Sequence, residues 1–257
     1  MIDLTISLTY YGQVDKLVRH LNFFSELDDV LKNQITVQIV NDGFNDQGIF
    51  DDAVKLFKER FDLRAYKVKQ DIGFNNHGCR NLAMLKSDTH WNWLVDIDAS
   101  PTEGLIRDIL TAPLKEEEFY VFEVYFDHID NPEDYDLYDP KKILKWVSHP
   151  NIWLITKPCF WSSGGYDMEF AGMRHGDQEF FEAIDKEKYE HFLFHPEIEE
   201  KHKLFIEAPN RTKSYLNQIT EHVGYLNKCV DFVKKRNDNK DRKFKKRLLC
   251  FDWERVV

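Results

Sequence analysis

The chain has 257 residues, of which 42% are hydrophobic and 14% aromatic, with a net charge of −10 at pH 7. That length and apolar content suit one globular core with an appendage and exclude a disordered chain. No run approaches the roughly 20 apolar residues of a membrane span, and the acidic, strand-like start MIDLTISLTYYG does not read as a signal peptide.

Four cysteines (Cys79, Cys159, Cys229 and Cys250) lie far apart and form no CxxC pair. They read as reduced thiols of a cytoplasmic protein rather than as a disulfide framework or zinc site.

The first half alternates. LTISLTY (4–10) reads as a strand, and Val14, Leu17, Val18, Leu21 and Phe24 then recur at helical spacing. ITVQIV (35–40) predicts a second strand, followed by the turn NDGFND. Val54, Phe57 and Phe61 mark a helix, and AYKVK (65–69) a third strand. NNHGCRNLAML (75–85) reads as a helix entered through a glycine-containing loop, and HWNWLVD as a fourth strand. Such alternation implies a parallel sheet with helices on both faces. Ligands in such sheets sit at the carboxyl ends of the strands. Thr9, Tyr10, Tyr11, Asn41, Asp42, Asp96 and Asp98 are therefore expected to share one edge.

The second half is less regular. FYVFEVYF (119–126) and IWLIT (152–156) predict strands, separated by a long loop over 127–150 rich in Asp, Tyr and Pro. FWSSGGYDMEF (160–170) reads as a turn with two glycines. GDQEFFEAI (176–184) opens a helix, and HFLFHP (191–196) is a short strand. A helix around 213–236 leads into KKRNDNKDRKFKKR (234–247), whose nine basic and two acidic residues give +7 and leave −17 on the rest. A basic run on an acidic body suits a polyanionic partner, or a solvated or self-docked helix. The closing LLCFDWERVV is apolar enough to fold back onto the body.

WNWLVDIDASP (91–101) carries the sharpest chemistry. An apolar strand ends in Asp96-Ile97-Asp98, although buried charge is costly unless it is paired or metal-bound. The next helix has a start signal of its own in Ser100, Pro101 and Glu103, a capping box with the expected proline. The two aspartates are thus not needed as caps. Two hard oxygen ligands at a strand end suit Mg²⁺ or Mn²⁺ completed by water and phosphate. A solvated strand-to-helix turn is the alternative.

These pieces, in this order, resemble the family 2 glycosyltransferases of the GT-A fold over roughly residues 3–200. ISLTYYGQ is similar to the opening strand and nucleotide-contacting turn, without the usual proline before Thr9. VQIVNDGFND is similar to the second strand and its Asp-Asp-Gly-Ser turn, with Asn41 and Phe44 as departures. IGFNNHGCRNLAMLKSDTHWNWLVDIDASP matches best, with Arg-Asn on a helix and a strand into the metal motif. WSSGGYDMEFAGMRHGDQEFF resembles the Gly-Gly-Phe-Asp acceptor turn and the Glu-Asp-x-Glu motif, with Gly176 where Glu is common and Asp177 in the catalytic place.

The resemblance implies a Rossmann-like, mainly parallel mixed α/β sheet with helices on both faces. It implies a GT-A domain over 1–210, divided into a nucleotide-sugar-binding half (1–100) and an acceptor half (101–210). Residues 211–257 would be a helical basic extension.

It implies a metal-dependent transfer from a nucleotide-diphosphate sugar, of UDP type, to an acceptor hydroxyl. Asp98 would bind Mn²⁺ or Mg²⁺, with Asp96 meeting the metal or the ribose. His195, or alternatively His202, would be a third ligand. Arg80 would offer its planar fork to phosphate oxygens, and Thr9, Tyr11, Asn41 and Asp42 would line the base and ribose. Asp177 would be the general base of an inverting displacement, with Glu179 the alternative. Trp161 could stack on a sugar ring beside Gly164.

The acceptor stays open among glycan, small molecule and modified DNA base. A sugar nucleotidyltransferase would normally carry a Gly-rich, basic loop after the first strand, and LTYYGQVDK lacks one. A non-catalytic sugar-nucleotide-binding module is the remaining alternative.

Overall fold

The computed structural model describes residues 3–73, 75–127, 145–146, 151–173, 176–194, 204–207, 231, 234 and 249–257. His195, His202, the loop core 128–144, residues 213–230 and nearly all of the basic run lie outside them.

Eight elements of the first half set the frame. β1 (Leu4–Tyr10), β2 (Ile35–Asn41), β3 (Leu63–Val68) and β4 (Trp91–Asp96) are joined through α1 (Val14–Glu26), α2 (Asp29–Lys32), α3 (Ile49–Phe57) and α4 (Asn76–Lys86). β1 runs parallel to both β2 and β4, and β2 parallel to β3. Helical crossovers between parallel neighbours produce this pairing.

The second half adds β5 (Ala99–Ser100), α5 (Glu103–Thr111), β6 (Glu118–Phe122), β7 (Val124–Asp127), β8 (Lys145–Trp146) and β9 (Trp153–Thr156). α6 (Lys157–Ser162), a 3₁₀ turn (Met168–Phe170), α7 (Gly176–Ala183), β10 (Glu190–Phe194), β11 (Leu204–Glu207) and β12 (Trp253–Arg255) follow. The main sheet has the order β10-β6-β9-β4-β1-β2-β3-β12, and a small second sheet has β5-β11-β7-β8. β9 and β12 are antiparallel to their neighbours, so the sheet is mixed.

Helices cover both faces. On β4, Trp93 and Val95 point to the core shared with α1, α3 and α5, while Leu94 points to that of α4, α6 and α7. This is the period-two alternation of a strand buried on both sides. Among the described residues, no helix is long and apolar enough to cross a membrane.

Two expectations change. The run 119–126 is not one strand: it breaks at Glu123 and its halves join different sheets. Ser100 is not the N-cap of α5. Its backbone belongs to β5, opposite Phe205, and the cap is Thr102, whose hydroxyl accepts from the Leu105 N–H at 3.3 Å. The chain's closing residues fold back onto the body, as the apolar LLCFDWERVV suggests. Trp253–Arg255 closes the open edge of β3, and Lys86 lies 4.2 Å from the Trp253 ring centre.

Candidate active site

The register of the parallel strands brings the expected residues to one edge. Tyr10 pairs with Asn41, and Thr9 with Asp96. Asp96 ends β4 partly exposed, and Asp98 follows in the turn before β5. Between them Ile97 is buried, and its carbonyl oxygen meets His20 Nε2 of α1 at 3.0 Å. A packed side chain and a pinned carbonyl thus hold the Asp-Ile-Asp turn. His20 sits beside the stripe expected for α1 and takes the buried place, while Val18 is exposed.

Arg80 is the hub. Its side chain is 3% exposed. It donates to Asp96 Oδ1 at 2.6 Å and to the Tyr166 hydroxyl at 3.0 Å, and lies 3.9 Å from Asp177 Oδ1. Its fork is therefore taken up by protein groups rather than held out toward a phosphate. Burial works against the guanidinium charge, but Tyr166, Asp96 and Asp177 outweigh it and hold the group firmly protonated.

Asp177, in the first turn of α7, also faces His77, whose Nε2 is 3.5 Å from its Oδ2. Burial pushes this carboxyl upward; His77 and then Arg80 reverse the shift and leave it below the usual carboxylate range. An ionised carboxylate that keeps 16% of its side chain exposed is a competent proton acceptor.

The turn after α6 locks onto α4. Asn81 donates to the Tyr166 carbonyl and accepts from the Tyr166 N–H, both at 2.8 Å. The Tyr166 ring stacks on Phe180 at 4.2 Å. Gly165 makes this approach possible: its φ is +75°, and a Cβ there would lie 2.7 Å from Asn81 Oδ1. Gly164 precedes it at φ +79°. Trp161 is half-buried, edge-on to Phe160 at 4.8 Å, and Glu179 lies partly exposed on α7.

On the other flank, Asn41 closes its own turn, accepting from the Phe44 N–H at 3.0 Å. Asp42 is buried, accepts from the Asn75 N–H at 2.8 Å, and is pushed up to about 7, mainly by burial. Thr9 is half-buried at the end of β1. Tyr11 is more open, with its hydroxyl 3.2 Å from Asp71 and its ring against Phe44 at 5.0 Å.

His20, His77 and Tyr166 were not singled out from the sequence. His77 lies three residues before Arg80, which puts both on one face of a helix. Tyr166 occupies the aromatic place of the two-glycine turn, so these two left a readable signal and His20 left none.

Asp96 and Asp98 supply hard oxygen donors at an open edge, and the described residues contain no group of three or more possible ligands. Carboxylates of this kind could hold Mn²⁺ or Mg²⁺, which keep several positions for water and phosphate, with Asp96 Oδ1 already engaged by Arg80.

No sequence-family profile matches the chain, and no curated protein sequence does. Solved structures do match. Residues 1–349 of TarS from S. aureus superpose with a TM-score of 0.58 at 13% identity, over 81% of this chain and 61% of that one. The mannosyltransferase PcManGT from Pyrobaculum calidifontis, solved with GDP-Man and Mn²⁺, gives 0.58 at 12%, over 88% and 62%. TarS 1–349 with UDP-GlcNAc gives 0.54 at 11%, over 82% and 60%. The chain thus has the GT-A glycosyltransferase fold and spans about three fifths of the length of these structures.

Proposed function

We propose that this chain transfers a glycosyl group from a nucleotide-diphosphate sugar to an acceptor hydroxyl. The observation that carries the reading is the bridge through Arg80, which ties Asp96 at the end of β4 to Asp177 at the start of α7. One carboxylate stands at the donor-side strand end and the other at the entry to the acceptor half. In the GT-A fold this arrangement suits displacement at an anomeric carbon between them.

Asp98, with Asp96, would hold Mn²⁺ or Mg²⁺. A metal held there would supply Lewis-acid stabilisation of the diphosphate's negative charge. Asp177 removes the acceptor hydroxyl's proton as its oxygen attacks opposite the diphosphate, an inverting transfer. Arg80, buried by its partners, keeps the two carboxylates aligned. Tyr11, Asp42 and Thr9 line the base and ribose side, and Asn41 shapes the turn that carries Asp42. Trp161, Gly164 and Glu179 border the acceptor side. A third metal ligand at His195 or His202 belongs to this proposal as well.

UDP sugars are the first donors to test, since TarS is solved with UDP and UDP-GlcNAc. GDP sugars follow from the mannosyltransferase complex. A second reading of the acceptor, a hydroxylated DNA base, rests on the basic run 234–247. Incubation with Mn²⁺ and a panel of nucleotide sugars should release nucleoside diphosphate from one donor class. No release from any donor, with or without candidate acceptors, would contradict the proposal.

A further inference from the structure

We propose that His77 is a positioning residue for the Asp177 carboxylate, an inference that rests on Asp177 being the general base. His77 and Arg80 stand three residues apart on α4 and address different oxygens of this group. His77 Nε2 faces Oδ2 at 3.5 Å, and Arg80 faces Oδ1 at 3.9 Å. A carboxylate approached from both ends by one helix face has little freedom to rotate.

The imidazole is itself held in place. It is fully buried, with the Tyr166 ring at 5.2 Å and the Phe170 ring at 6.3 Å. Gly176, the residue before the carboxylate, lies against the same Nε2 edge of the ring. A Cβ on Gly176 would sit 2.8 Å from His77 Nε2, 2.9 Å from Cε1 and 3.0 Å from Cδ2. Real Cβ atoms do not approach a ring so closely, so a side chain at 176 would push the imidazole away from Asp177. Gly176 and His77 are complementary, and together they set where the carboxylate points.

Among the described residues, the titratable groups facing the carboxylate include His77 and Arg80 from α4 and Tyr166 from the turn before α7; Asp96 reaches it through Arg80. Burial alone would raise the proton affinity of Asp177, and His77 is the largest influence opposing it. Loss of His77 should therefore do two things. It should lower the rate by misplacing the base, and it should move the acidic limb of the rate profile to higher pH as the carboxylate takes up its proton sooner.

The test uses the full chain with Mn²⁺ and whichever nucleotide sugar releases nucleoside diphosphate, with water as acceptor. His77→Gln, Gly176→Ala and Asp177→Asn are compared with the wild type across pH, and near-UV circular dichroism checks the fold. His77→Gln should lower kcat by up to about 100-fold, since misplacing a reacting group by roughly 1 Å can cost about that much. KM for the donor should stay within about twofold, because the donor side is untouched. The acidic limb should rise in both His77→Gln and Gly176→Ala. If His77→Gln does not fold, Gly176→Ala carries the test, because it keeps the imidazole and only displaces it. Wild-type kcat and an unmoved limb in the folded variants, with Asp177→Asn inactive, would overturn the positioning role and leave the base assignment standing. Wild-type kcat in Asp177→Asn would overturn the base assignment and this inference with it.

Discussion

Arg80 of α4 and Asp96 of β4 form an ion pair at 2.6 Å, buried at its Arg80 end, between residues sixteen apart in the chain. The pair joins the helix that faces Asp177 to the strand that ends in the Asp-Ile-Asp turn. Arg80→Met should leave Asp96 and Asp177 without their shared cation. Breaking a fully buried pair from one side costs about 3–5 kcal/mol, and the partial exposure of Asp96 makes that an upper bound here. Denaturant unfolding should show that loss, together with a fall in nucleotide release. A variant as stable and active as the wild type would remove Arg80 from the site's architecture.

Asp98→Ala should abolish metal-dependent turnover while the fold survives, because Asp98 lies beyond the end of β4. Calorimetric titration should show weaker Mn²⁺ and nucleoside diphosphate binding. Chelation of the wild type should reproduce the loss, and added Mn²⁺ should reverse it. Full activity in chelator would assign the two aspartates to the turn alone.

Asp42 makes stability depend on pH. Burial raises its carboxyl from about 3.8 to about 7 in the folded chain. Between those values the folded state holds one more proton than the unfolded state, so unfolding free energy falls as pH rises. The contribution is complete below about 3.8 and is lost by about 7, at most roughly 4 kcal/mol. Asp42→Asn, neutral at every pH, should flatten the decline in denaturant midpoint between pH 5 and pH 8. An equal decline in both proteins would place the titration elsewhere.

The basic run concerns the acceptor. Within 234–247 only Asp238 and Asp241 can offset nine basic residues. A DNA acceptor would give salt-dependent binding with a log–log slope of about −0.9 per phosphate neutralised. Replacing Lys243, Lys245, Lys246 and Arg247 by Ala should then flatten the slope and leave donor hydrolysis unchanged. No salt-sensitive binding by the native chain would direct the search to glycans and small molecules.

The strand-helix alternation of the first half was legible because each element has a clear period, and its register follows from parallel pairing. The aspartates at the end of β4 were legible from residue type alone. The start of α5 was not: Ser100 and Thr102 both offer hydroxyls, and the choice depends on Ser100 pairing with β11, a contact more than 100 residues away. Arg80 likewise has a motif that names it but no sequence signal for its direction. Only the packed Tyr166 turn shows that the guanidinium faces inward. His77 could have been found from its helical spacing to Arg80, but its meaning depends on Gly176, a contact that no local pattern encodes.

The most direct test of glycosyl transfer with Asp177 as base is kcat of Asp177→Asn beside the wild type, on the donor identified by nucleotide release. Asparagine keeps the shape and removes the proton acceptor. General-base contributions are typically about 10²–10⁴-fold, so kcat should fall by at least that range with donor affinity nearly intact. A folded Asp177→Asn variant with wild-type kcat would contradict the account.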